Sequence, residues 1–412
     1  MTAADLRAID AADVYKAGLH AGQLLRHDDD VIFRYDPGYR DDPSTPPVAW
    51  TLPKDVPEVR ASGGSVPPFF AGLLPEGVRL RAVVAGTRTS EDDHFTLLLA
   101  VGNDTIGDVR IAPAGVAPTE PEPAFDPTST EQIDLQDLFD RVAGPELLTF
   151  DAVALPGVQP KVSAAMLSSP VTTTHGPAIL KLNPPSGFPR LVENEQFFLQ
   201  MARDCELRVP DHLLIHDRAG RAGLLVMRFD RLVGPDGAIS RLAQEDACQV
   251  LGVYPARKYR IKTEEAIERL ALCCELGHGS RQVEVLRMIH LVAFSYLIGN
   301  GDLHGKNISI RASPEGRWET TPAYDLVTTQ PYMRWRDPMA LDFHGRANKL
   351  NRAHLVAAST RLGIAERAVV RLLDRLCSRA RPWADRVAEI GFEPRQNDLL
   401  HELIIDRINE LS

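Results

Sequence analysis

The polar residues of Leu297 to Ile310, LIGNGDLHGKNISI, are the ones in this sequence best suited to chemistry. They follow a long apolar stretch and precede the short run ISI, so they lie on a loop held at both ends. Asp302 stands five positions before Asn307, and a second acid, Asp325 in PAYDL, follows 18 residues after the asparagine. Phosphoryl transfer needs these residue types: an Asp to accept the proton of the attacking hydroxyl, and an Asn with a second Asp to hold Mg²⁺ against the phosphates. The same residues also suit a capped turn in which Asp302 and Asn307 satisfy backbone donors.

The spacing is that of H-R-D-x-x-x-x-N, a protein-kinase catalytic loop, followed by a metal-binding Asp. Other parts that such a site needs lie upstream in the same order. Lys181 interrupts the apolar strand AILKL at 178–182, where an ammonium is costly to bury unless an anion meets it. Nucleotide phosphates and a helix Glu would meet it; an edge strand with the head group in water is the plain alternative. In the next segment, ENEQFFLQMARDCEL, Phe197, Phe198, Met201 and Cys205 recur at helical spacing. Glu193 and Glu195 both fall at the margin of its apolar face, and Glu195 is the expected partner of Lys181. Ala154 to Ser163, ALPGVQPKVS, is neither a Walker A sequence nor G-x-G-x-x-G. Its glycine, with Gln159 and Lys161, can still lay N–H groups and a cation over phosphates, although a plain turn fits equally. GLLVMRFDR reads as a strand ending at Phe229, where a connector between lobes offers backbone groups to an adenine. Two D-x-H pairs, Asp302 with His304 and Asp342 with His344, hint at a dinuclear hydrolase, but no H-E-x-x-H or Cys/His set accompanies them.

The elements that position these residues follow from pattern and composition. At 412 residues the chain is long enough for two or three packed units, and a 44% hydrophobic share excludes wholesale disorder. Residues 1–112 read as short strands and turns, VYKAGL, VIFRY and HFTLLLAV, with nine prolines between Pro37 and Pro75. Residues 113–132, rich in proline and acids, read as a linker. From 133 onward strands come first, to about 230, and helices after, with helices expected at about 281–298 and 364–380. This predicts an α+β chain whose second unit, 133–412, has two lobes and a cleft between them.

Net charge is −10, from 46 Lys+Arg against 56 Asp+Glu, which argues against holding nucleic acid by bulk charge. Five cysteines without a C-x-x-C pair fit a reducing compartment. No signal peptide is evident. The longest apolar run, Met288 to Ile298, is far shorter than the roughly 20 residues a membrane span needs. The expectation is a cytoplasmic protein that does not enter the membrane.

Together the segments resemble the HipA family, the kinase toxins of bacterial type II toxin–antitoxin modules, over nearly the whole chain. FFAGLLPEG at 69–77 looks like that family's N-terminal signature; LPGVQPKVS, MRFDR, AQEDACQVLGV at 243–253, NGDLHGKN and AYDL look like its kinase signatures in order. The resemblance implies a small β-rich domain at 1–112 and a two-lobed kinase-like domain at 133–412, with an N-lobe to about 230 and a mostly helical C-lobe. It also implies ATP- and Mg²⁺-dependent phosphorylation of a translation-machinery protein, typically an aminoacyl-tRNA synthetase. A small helix-turn-helix antitoxin, HipB-like, would neutralise the toxin, and operator DNA would be met only through that complex. A catalytically silent co-repressor on the same scaffold is the alternative. Carried over by residue, Asp302 matches the base, Asn307 and Asp325 the Mg²⁺ ligands, and Lys181 the phosphate-anchoring lysine. Pro156, Gly157, Val158, Gln159 and Lys161 match the phosphate-covering loop. Met227 and Phe229 match backbone partners of the adenine, with Asp230, Lys306 and Tyr324 also in nucleotide-binding motifs. His304 stands where ordinary kinases carry a phosphate-contacting Lys, and is expected to take that part with a pH-dependent charge. Members typically carry an autophosphorylated serine one or three residues before the loop glycine. Pro156 and Ala154 stand there, so self-inactivation is expected to be lost or moved, for instance to Ser163 or Thr149.

Two further features have two readings each. Arg367, Arg371, Arg375 and Arg379 recur every four residues opposite the apolar stripe Ala365, Val369, Leu372, Leu373 and Leu376. They suit DNA or an acidic partner, or a solvated face paired with Glu366 and Asp374. Phe69 and Phe70 suit a turn anchor or a partner-binding patch.

Overall fold

The computed structural model describes residues 3–130, 133–137, 165–184 and 187–412. The expected phosphate-covering loop, Pro156, Gly157, Val158, Gln159 and Lys161 included, lies outside them, as do Thr149, Ala154 and Ser163.

The N-terminal region is built on an antiparallel sheet of β1 (Ala11–Lys16), β2 (Leu19–His27), β3 (Asp30–Tyr35), β4 (Glu58–Ser62) and β5 (Val109–Pro113), in the order β4-β3-β2-β1-β5. Ala17 and Gly18, both at positive φ, make the two-residue turn that sets Lys16 opposite Leu19. Around the sheet lie helices α1 (Ala3–Arg7), α2 (Pro37–Asp41), α3 (Pro68–Gly72), α4 (Gly77–Thr87) and α5 (His94–Val101). α5 corrects the expectation of a strand at HFTLLLAV. Asp93 caps it by accepting the Thr96 N–H, and Phe95 to Leu99 are all buried, so the run has no polar face to reveal a period of 3.6. Phe69 and Phe70 are buried against Phe33 and anchor the turn, which decides between their two readings.

Residues 113–130 do not hang loose. Ala124 and Thr174 exchange backbone bonds with Thr172 and Phe125, and Glu120 accepts from Arg110 and Arg241.

A second antiparallel sheet follows, β6 (Leu167–Thr173), β7 (Gly176–Leu182), β8 (His212–His216) and β9 (Ala222–Met227), in the order β6-β7-β9-β8. Helix α6 (Leu191–Asp204) connects β7 to β8 and buries Val192, Phe197, Phe198 and Met201. Strand β9 stops at Met227, two residues short of the expected Phe229. A short hairpin, β10 (Arg231–Val233) and β11 (Ile239–Arg241), leads into the last region.

That region is mostly helical: α7 (Ala247–Leu251), α8 (Thr263–Leu276), α9 (Arg281–Ile298), α10 (Arg352–Arg361), α11 (Glu366–Ala384) and α12 (Pro394–Leu411). Helix α9 runs through its centre with every residue from 291 to 298 buried. A three-stranded sheet, β12 (Gln244–Asp246), β13 (Ser309–Ala312) and β14 (Trp318–Thr320), interrupts the helices, and only its middle strand was foreshadowed, by ISI. Among the described residues no helix is long and apolar enough to cross a membrane.

Candidate active site

A cleft of about 310 Å³ lies where the β6-β7-β9-β8 sheet, the three-stranded sheet and the α9–β13 loop meet. Lys181, Met227, Phe229, Asp230, Lys306, Asn307, Tyr324 and Asp325 line it, together with residues 72–76 and Arg79 of the N-terminal region.

Lys181 points inward from β7. Its ammonium donates to both Glu195 carboxylate oxygens at 2.6 and 2.8 Å and to Asp325. Burial works against the charge, but the Asp325 and Glu195 carboxylates outweigh it and hold the lysine protonated. Glu193 is engaged elsewhere, by Asn183 and Arg190, so helix phase brings Glu195 to the lysine. Asp325 sits at φ 53, a left-handed conformation that an L-residue adopts only when its surroundings impose it. Asn300 helps impose it by donating to the Asp325 carbonyl at 3.4 Å.

The loop after α9 is fixed at each step. Gly299, at φ 75, ends the helix. A Cβ on Gly301 would lie 1.9 Å from the Asp337 carboxylate, so glycine is required there, and the Gly301 N–H bonds Thr329 Oγ1 at 2.9 Å. The Asp302 N–H bonds Asn300 Oδ1 at 2.8 Å, and Asn307 Nδ2 donates to the Asp302 carbonyl at 2.9 Å. Tyr259 donates its hydroxyl to Asp302 Oδ1 at 2.9 Å and packs edge-on against the His304 ring. Tyr324 donates to the Lys306 carbonyl and stands 5.8 Å, centroid to centroid, from Phe229. The structure thus brings Lys181, Glu195 and Asp325 into one contact group and places Asn307 and Tyr324 on the adjoining wall, while Asp302 is buried in the same loop and does not itself line the cleft.

Asn307 and Asp325 present amide and carboxylate oxygens, the donors that Mg²⁺ takes. Asn307 Nδ2 is committed to the Asp302 carbonyl, so its oxygen lies on the far side of the amide. Two protein oxygen ligands with phosphates and water completing the shell is the usual Mg²⁺ arrangement, and the donor set fits it. Among the described residues no group of three or more His, Cys, Asp or Glu side chains forms a separate metal cluster.

Four expectations are revised by these contacts. His304 is not a pH-dependent cation in this arrangement: burial, with Lys258 nearby, pushes its pKa down to about 4, so it is neutral at physiological pH. The cation beside Asn307 is Lys306. Asp230 does not present its carboxylate to the cleft. Arg228 and Arg231 take its oxygens at 2.8–3.0 Å and the Gly107 N–H donates to it, so the side chain ties the N-terminal region to the kinase-like part. The Phe229 carbonyl is likewise taken, by Arg311. The arginine stripe is also not uniform. Arg379 donates to Glu206 at 2.7 Å and to the Asp204 carbonyl, and Arg375 pairs with Glu206 at 3.6 Å.

Sequence reasoning passed over Glu76, Tyr259, Asn300 and Asp246. Asp246 caps α7 and lines the cleft, and burial lifts its pKa to about 6. Asn300 was legible in principle, since it is part of the NGD run; Tyr259 was not, because nothing near it in sequence points to Asp302.

Fold and site together are those of a protein-kinase-like protein with a β-rich N-terminal module joined to it. The chain belongs to the HipA family. The profile for the HipA N-terminal domain matches residues 12–112, and that for the HipA-like C-terminal domain matches residues 153–384. A curated relative from Sinorhizobium fredii is 33% identical over 348 residues, 80% of each chain. The serine/threonine-protein kinase toxin HipA of Shewanella oneidensis is 26% identical, over 81% of this chain and 79% of its own. The solved Shewanella oneidensis complex of HipA, HipB and operator DNA contains a chain that superposes with a TM-score of 0.78 at 21% identity, covering 97% of both.

Proposed function

We propose that this chain is an active ATP- and Mg²⁺-dependent serine/threonine protein kinase toxin that phosphorylates a translation-machinery protein, an aminoacyl-tRNA synthetase, and is neutralised by a HipB-like antitoxin in the cytoplasm. The observation that carries the reading is the buried Lys181–Glu195 pair, 2.6 Å apart, with Lys181 also bonded to Asp325 in the cleft that Asn307 lines. Against the alternative, a silent kinase fold that holds nucleotide as a co-repressor, stand the retained Asp302 and both metal ligands, Asn307 and Asp325. In this proposal Lys181 anchors the α/β-phosphates, and the Met227 carbonyl and Phe229 N–H hold the adenine. Asn307 and Asp325 hold Mg²⁺, which neutralises charge on the phosphates. Asp302 accepts the proton of the substrate hydroxyl, while Lys306, His304 and Tyr324 shape the phosphate end. The domain assignment carries over as 1–112 for the HipA-like N-terminal domain, 113–132 for the linker and 133–412 for the kinase domain. The test is incubation of the purified chain with labelled ATP, Mg²⁺ and a panel of aminoacyl-tRNA synthetases. Label on one synthetase supports the reading, and background label on all of them, with none on proteins of a whole lysate, overturns it.

Operator DNA is proposed as a contact made through the antitoxin complex. Arg375 and Arg379 are paired with Glu206, so within the four-arginine stripe any phosphate contact falls to Arg367 and Arg371. Replacing those two with Ala is expected to weaken operator binding by the complex and to reduce the salt slope by about one per lost phosphate contact. An unchanged slope would assign the stripe to solvent.

A further inference from the structure

One side chain of the N-terminal region faces two lysines at the catalytic loop. Glu76, at the end of FFAGLLPEG, sits just before α4 and lines the cleft. Its Oε2 lies 2.6 Å from Lys258 Nζ and its Oε1 3.6 Å from Lys306 Nζ, while Lys306 also donates to the Gly72 carbonyl at 3.1 Å. The turn that carries Glu76 is pressed onto α7. Gln249 Nε2 donates to the Phe69 carbonyl at 3.1 Å, and a Cβ on Gly72 would lie 2.6 Å from Gln249 Cγ, so only glycine permits this approach.

Each lysine continues into the loop. Lys258 accepts the Gly305 N–H on its carbonyl at 3.0 Å, and its neighbour Tyr259 donates to Asp302. Lys306 immediately precedes Asn307. One carboxylate from the N-terminal region therefore pins both ends of the segment between the proposed base and the proposed metal ligand. Burial alone would raise the pKa of Glu76, but Lys306 and Lys258 outweigh it and bring the value down to about 2, so the carboxylate stays charged at working pH. Without that charge two ammonium groups would face each other across the loop, and like charges held together in a partly buried site drive movement of whatever carries them.

We propose that Glu76 is a positioning residue for phosphoryl transfer, setting Asp302 through Lys258 and Tyr259 and Asn307 through Lys306, so that the N-terminal module is part of the kinase active site. This rests on the kinase reading above. Misplacement of reacting groups by about 1 Å costs up to roughly 100-fold in rate, so Glu76→Gln is expected to lower kcat by roughly 10- to 100-fold. The KM for ATP should stay within about two-fold, because the Lys181 side of the cleft is untouched.

The experiment is steady-state transfer by the full chain to the synthetase labelled above, with Glu76→Gln, Glu76→Asp, Lys258→Gln and the double variant Glu76→Gln/Lys258→Gln. Residues acting through one contact are non-additive, so the double variant should be no slower than the slower single variant. Glu76→Asp, which keeps the charge with less reach, should recover part of the rate. A Glu76→Gln enzyme with wild-type kcat overturns the inference. So does a fall in kcat, nucleotide affinity and thermal midpoint together with no recovery in Glu76→Asp, which would mark Glu76 as a fold contact. A wild-type chain that labels nothing overturns the kinase reading and the inference with it.

Discussion

Asp302→Asn is expected to reduce phosphate transfer by about 10²–10⁴-fold, the range a positioned general base contributes. The substitution is close to a pure loss of proton acceptance. The Asn307 amide bonds the Asp302 backbone carbonyl, which no side-chain change removes. The Asp302 N–H to Asn300 Oδ1 bond is also backbone-based. Tyr259 donates to Oδ1, and the carboxamide of Asn retains an oxygen that can accept that hydroxyl. Nucleotide affinity and thermal midpoint should therefore match wild type while kcat falls. Rapid-quench transfer from labelled ATP, beside titration of a fluorescent ATP analogue, separates the two quantities. Equal transfer by wild type and Asp302→Asn would remove Asp302 from the role of base.

Much of this site was legible because local chemistry demanded unusual residues. A lysine inside AILKL is anomalous unless anions meet it, and Glu195 and Asp325 meet it. The D-x-x-x-x-N loop was readable because helix α9 ends in a glycine cap before it and a short strand, β13, begins after it. The misreadings came from residues whose neighbours are remote in sequence. Asp230 looked like a nucleotide contact because its motif lies at the cleft, yet its partners include Gly107, 123 positions away. His304 looked titratable because a sequence shows neither its burial nor Lys258 beside it. HFTLLLAV looked like a strand because its five central residues, Phe95 to Leu99, are all buried, and a buried run that short reads alike as helix or strand. The contribution of Glu76 was hidden for the same reason as Asp230: Lys258 and Lys306 lie 182 or more positions further along the chain.

Arg228→Ala is expected to cost about 3–5 kcal/mol of stability, the usual loss when one partner of a buried ion pair is removed. Arg228 is 2% exposed and makes four hydrogen bonds: two to Asp230, one to Asp104 Oδ1 at 2.9 Å and one to the Thr105 carbonyl at 2.7 Å. Two of those partners belong to the N-terminal region, so its loss loosens that region from the rest and exposes the Asp230 carboxylate to a poorly compensated interior. Arg231 remains on Asp230 and Asp104, which makes the lower end of the range the firmer expectation. Lys cannot substitute, since three directions of donation need the planar guanidinium. The effect also has a pH signature. Burial favours protonation of Asp230, but Arg228 and Arg231 override it and bring its pKa from 3.8 down to about 2. Because the folded value lies below the unfolded one, the stabilisation from this carboxylate is complete above about pH 4 and drains as pH falls toward 2. The stability gap between wild type and Arg228→Ala should therefore be largest at neutral pH and narrow between pH 4 and 2. Denaturant unfolding across that range measures it. A gap that stays constant with pH would assign the loss to packing of the arginine stem, and no gap at pH 7 would remove the network from the contacts that hold the two parts together.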